Sequence, residues 1–139
     1  MTITSQNHNP SSVARFASGS FKDTGTVKKS ILALGWKPRY FKLWDVSGTE
    51  LVFEVTDGMA AANGFKTAAA NQTLETSAMP SLIEGYNSGA ADLWTVYETT
   101  SGSDTDNSRL NLANELFSGV SIPAALIATS VQAHWIAIG

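Results

Sequence analysis

The sequence predicts an all-β domain, a β-sandwich or jelly-roll-like fold with at most one or two short helices. Apolar and polar residues alternate with a period of two, most cleanly in Glu50 to Asp57, where Leu51, Phe53 and Val55 oppose Glu50, Glu54 and Thr56. Turn-forming Gly, Pro, Asn and Asp recur every several residues, and helical periodicity is almost absent. The stretch Gly35 to Val46 holds two of the four tryptophans and is apolar on both faces, with Tyr40, Lys42 and Trp44 on one side and Phe41 and Leu43 on the other. Such a strand is covered twice, by its own core and by a second layer or a neighbouring subunit.

A chain of 139 residues makes one domain by size and buries about two thirds of its unfolded surface. Residues 1–12 are polar with one proline and read as a flexible N-terminal arm; residues 13–139 form the single sandwich domain. Val13 to Phe21 alternates as a first strand, and Asp23-Thr24-Gly25-Thr26 has turn chemistry. Lys28 to Leu34 leads into the aromatic strand, whose entrance is marked by Pro38, since proline lacks the N–H a ladder needs. A hairpin turn around Ser47-Gly48 follows. A turn with an even number of residues sets Trp44 beside Leu51 and gives a core of Tyr40, Trp44, Leu51, Phe53 and Val55; an odd turn with a bulge reverses that pairing.

Gly58 to Ala70 is alanine-rich, but Asn63-Gly64 interrupts it, so it reads as a loop followed by a strand. Thr73 to Ser77 is a further short strand, and Ala78 to Asp92, punctuated by Pro80, Gly85 and Gly89, is loop-like. Leu93 to Glu98 is a strand and Thr99 to Ser108 a polar loop. Arg109 to Phe117 has apolar residues at 110, 112, 113, 116 and 117, which fits two helical turns capped by Ser108. Gly119 to Ile122 and Ala125 to Ala128 are short strands about Pro123, and Val131 to Gly139 ends the chain inside a sheet.

Composition narrows the chemistry. Cysteine is absent, which excludes a disulfide framework and thiolate metal sites. The two histidines, His8 and His134, lie in unrelated settings, and no G-x-S-x-G elbow or phosphate loop is present. Asp104, Asp106, Ser108 and Glu115 fall on a calcium-loop template, but Arg109 occupies the position where that loop needs glycine. Residues 1–12 lack the basic start and apolar run of a secretion signal, and no stretch reaches the length of a membrane span. The reading is therefore a non-enzyme with no metal or other cofactor and no membrane partner. The net charge of −3 divides into +6 up to position 42 and −9 beyond it. The acidic total argues against nucleic acid, while the segregated charge reads either as two solvated surfaces or as a basic face that docks on something acidic.

Two families resemble parts of the chain. Gly35 to Asp45, followed by a turn and Leu51-Val52-Phe53, looks like strands two and three of a pleckstrin-homology domain, which would imply lipid headgroup binding by Lys28, Lys29, Lys37 and Arg39. That family closes with a long helix, whereas this chain closes with a strand pattern. A broader resemblance is to small virion structural proteins of tailed bacteriophages. It is carried by Ser18-Gly19-Ser20-Phe21, Thr24-Gly25-Thr26, Gly35 to Tyr40, Gly58-Met59-Ala60, Lys66 to Ala70, Thr73 to Ser77 and Trp135-Ile136-Ala137.

This second resemblance implies a capsid decoration (cement) protein that binds the assembled head shell in the virion, after assembly in the host cytoplasm. Its partners would be the major capsid protein or other virion subunits and copies of itself, a trimer ahead of a dimer. The expected partner-binding residues are Lys37, Arg39, Phe41 and Leu43. The alternative is a tail or fibre module that binds host glycans through Trp36, Trp94 or Tyr97.

Overall fold

The computed structural model describes residues 15–22, 29–45, 51–87, 93–96, 108–110, 116–123, 126–127 and 131–139. These residues are all-β, without a helix, and form a sandwich-like pair of sheets. The strands are β1 (Phe16–Lys22), β2 (Lys29–Ala33), β3 (Tyr40–Asp45), β4 (Leu51–Thr56), β5 (Gly64–Ala68), β6 (Asn71–Glu75), β7 (Ser81–Asn87), β8 (Leu93–Val96), β9 (Ser108–Leu110), β10 (Leu116–Ile122) and β11 (Gln132–Ile138). The first sheet has six strands in the order β1-β11-β3-β4-β5-β6, antiparallel throughout. The second has five in the order β7-β10-β2-β8-β9, antiparallel except for the parallel pair β2 and β8.

One apolar core joins the sheets. Phe41, Leu43, Phe53, Val55, Ala133 and Ala137 of the first sheet meet Leu32, Val120 and Ile122 of the second, and Met79 and Ile127 fill in from connecting segments. Burying large side chains of this kind is worth roughly 1.5–3 kcal/mol each, which makes this layer the main source of stability. Trp135 also faces inward. Its ring lies 6.3 Å from that of Phe41, and a Cβ added to Gly19 on the neighbouring strand would come within 2.7 Å of the indole. Glycine at 19 thus makes room for the tryptophan.

Pro38 is buried at the entrance of the aromatic strand, as its chemistry suggests, and the next residue's N–H bonds to the carbonyl of Ile138 at 2.7 Å. The alternation of β3 is also as read, but its inner face is the opposite one. Trp44 pairs with Val52, Leu43 with Phe53 and Phe41 with Val55, so seven residues, 45–51, separate the last pair. An odd connection moves the whole strand by one residue relative to the even one and exchanges its faces. Phe41 and Leu43 are therefore core residues at 0 % exposure, whereas Tyr40 and Trp44 point outward. Leu51, Phe53 and Val55 pack in or against the core as expected.

Three other expectations are corrected. Ser81–Asn87, within the stretch read as loop, is strand β7, because pairing with β10 satisfies its backbone despite Gly85. The expected helix Arg109 to Phe117 is replaced at both ends by strand, in β9 and β10. Residues 126–127, expected in a strand, lie in a bend. The N-terminal arm and most of the calcium-template loop lie outside the described residues.

Candidate interaction face

The first sheet has one face in the core and one turned outward, and the register defines the outer face row by row. Across the strands run Phe16, Ile138, Tyr40 and Thr56; then Ser18, Ile136, Lys42, Glu54, Phe65 and Leu74; then Ser20, His134, Trp44, Val52, Thr67 and Gln72. Directly opposed residues of antiparallel strands share a face, so these side chains stand together. With strands about 4.8 Å apart the face is about 24 Å wide. Phe16 is 64 % exposed, Leu74 62 %, Ile138 41 % and Phe65 38 %. Apolar surface gathered in this way marks interaction sites more often than singly scattered apolar residues do.

Electrostatically the face is nearly silent. Within these three rows of described residues the one carboxylate and the one ammonium are Glu54 and Lys42, opposite one another on β4 and β3, and Lys22 follows at the end of β1 in the register of the same face. Glu54 also accepts a hydrogen bond of 2.5 Å from the Tyr40 hydroxyl, the length of a charge-assisted bond. Burial first, then this bond and the carboxylate charge, push the Tyr40 hydroxyl up to about 12. Lys42 Nζ lies 5.7 Å from the Trp44 ring centre, and the imidazole of His134 stacks beside Trp44 at 5.9 Å and 21°. Trp44 is therefore in contact with neighbours on its own strand and on β11.

The four residues expected to bind a partner do not form one surface. Phe41 and Leu43 are sealed in the core of the same chain, which removes them as contacts for a partner. Lys37 and Arg39 are exposed at the entrance of β3, away from the centre of the outer face. Arg39 pairs with Asp57 at 3.4 Å, and Lys37 lines a small cavity of about 190 Å³ with Val55, Asp57, Met59, Ser81 and Leu82. Of the expected glycan platforms, Trp36 is half-buried against Gly139, while the Trp94 side chain and Tyr97 lie outside the described part.

Among the described residues no three histidine, aspartate or glutamate side chains converge as a metal site would require. The outer face was missed because its members come from six strands, and only Tyr40, Lys42 and Trp44 announce it locally. The useful signal was the second apolar set in strands whose first set already filled a core, Val52, Ile136 and Ile138, joined by the lone apolar residues Phe65 and Leu74 of two otherwise small or polar strands.

Comparison with protein-family models, curated proteins and solved structures finds no match. Fold and face together define an all-β sandwich-like domain with a broad, nearly uncharged apolar sheet face.

Proposed function

We propose that this protein is a non-catalytic structural binding protein of a bacteriophage virion, a decoration protein that holds neighbouring capsid subunits through the outer face of its six-stranded sheet. The observation that carries the reading is that face, with Phe16, Phe65, Leu74 and Ile138 exposed around Tyr40, Trp44 and Val52. The chain segments that resemble tailed-phage virion proteins supply the biological setting. A nearly neutral apolar face suits a large, mostly neutral protein surface, because it requires few charged groups to be stripped of water on contact. The exposed charges of Lys37 and Arg39 sit to one side, where they can steer approach and orientation.

The test is to incubate empty shells, assembled from the major capsid protein of the same phage, with the wild-type protein and with Val52→Lys. Wild type should saturate defined sites on the shell and the variant should occupy them poorly while keeping its melting temperature. Absence of the wild-type protein from purified virions, or equal occupancy by the two proteins, would remove this reading. Retention on a glycan array would move it to the tail-module alternative.

A further inference from the structure

We infer that β6 is a pairing edge for a second copy of this chain, joining two six-stranded sheets across a two-fold axis. Among the described residues β6 is the outermost strand of the first sheet and pairs with β5 alone, so the backbone groups along its other side meet no described strand. Residues 71–74 are all exposed, including Leu74 at 62 %. The β5–β6 hairpin lies beyond β4, the strand of this sheet that reaches β7 of the other, so it projects past the sandwich. A projecting hairpin with a bare edge is only marginally stable alone and gains from an added strand.

Protein edges are ordinarily blunted, and the other described edges here are. β1 is flanked by Arg15 and ends in Lys22, β7 is broken by Gly85 in the left-handed region at φ 57°, and β9 has only three residues. β6 has no proline, no lysine, no described bulge, and a single charge, Glu75, at its end. This edge is the one suited to pairing.

Its sequence also fits itself. In an antiparallel pair centred on Thr73, Asn71 faces Glu75 of the second copy, Gln72 faces Leu74, and Thr73 faces its own equivalent. The one charge then lies opposite an amide, and no like charges meet. Gln72 and Leu74 share the outer face with Phe65, so the two copies of Leu74 become diagonal neighbours and the apolar strip runs on across the seam. A two-fold contact of this kind is self-complementary, which a strand edge meeting itself antiparallel provides. It gives a dimer, which the earlier expectation placed behind a trimer, and it does not depend on what the outer face binds.

The experiment is sedimentation of the full chain over a concentration series, for the wild type, Thr73→Lys, Thr73→Glu and an equimolar mixture of the two variants. Thr73 is exposed, so both variants should fold, which circular dichroism checks. The wild type should dimerise, and each variant, which places like charges face to face on the axis, should dissociate about 100-fold more readily. The mixture should recover the dimer by pairing lysine with glutamate. A wild type that stays monomeric throughout the series would overturn the inference. So would a dimer indifferent to both Thr73 variants, or one broken by Val52→Lys but not by Thr73→Lys, since that would put the copies face to face.

Discussion

The reversed face of β3 can be tested by two truncations of adjacent residues. Leu43 is completely enclosed, opposite Phe53 and among the side chains of both sheets, so Leu43→Ala removes its methyl groups and leaves a cavity the core only partly closes. The expected cost is about 3–4 kcal/mol. Trp44 is far larger but stands on the outer face, where truncation removes the stack on His134 and the contact with Lys42. An aromatic pair is worth about 0.5–1.5 kcal/mol and an exposed cation–π contact about 0.5–1 kcal/mol, so Trp44→Ala should cost about 1–2 kcal/mol. Urea unfolding followed by circular dichroism separates them. With a slope of about 1.5 kcal/mol per molar, the midpoint should fall by about 2 M for Leu43→Ala and by about 1 M for Trp44→Ala. Leu43→Asp should not fold at all, since it would place an unpaired carboxylate in the core. If Trp44→Ala costs as much as Leu43→Ala or more, the assignment of faces is wrong.

Gly119→Ala should abolish folding or cost at least about 3 kcal/mol, because its φ is 151° and an added Cβ would lie 1.9 Å from the carbonyl oxygen of Leu32, which is backbone and cannot rotate aside. A melting temperature within a few degrees of the wild type would show that β10 and β2 are not packed as described. Tyr40 titrates late, at about 12 against an ordinary value of 10, so the folded chain holds this proton more tightly than the unfolded one. Its contribution to stability is full below pH 10 and is lost as pH rises from 10 to 12. Tyr40→Phe should therefore lessen the loss of stability over that interval and remove from the ultraviolet tyrosinate titration a phase near pH 12; loss of a phase near pH 10 instead would show that burial and the bond to Glu54 do not hold this proton.

The sequence alone determined what depends on neighbours along the chain. Strands at Tyr40–Asp45, Leu51–Thr56 and Gln132–Ile138 were legible because alternation reports two-sidedness directly, and Pro38 and Asn63-Gly64 marked entrances where the backbone requires them. Local pattern could not decide between two apolar faces of one strand. That choice turned on the odd connection between Trp44 and Val52 and on which residues β11 brings alongside, and a shift of one residue exchanges every side chain. Ser81–Asn87 looked like a loop because Gly85 weakens its local preference, yet pairing with β10, some thirty residues further on, makes it a strand. The apolar spacing from Leu110 to Phe117 matched a helix, but it joins the end of one strand to the start of another. The outer face likewise exists only after strands from both ends of the chain have paired, since sheet contacts are long-range and nothing within one strand encodes its partner.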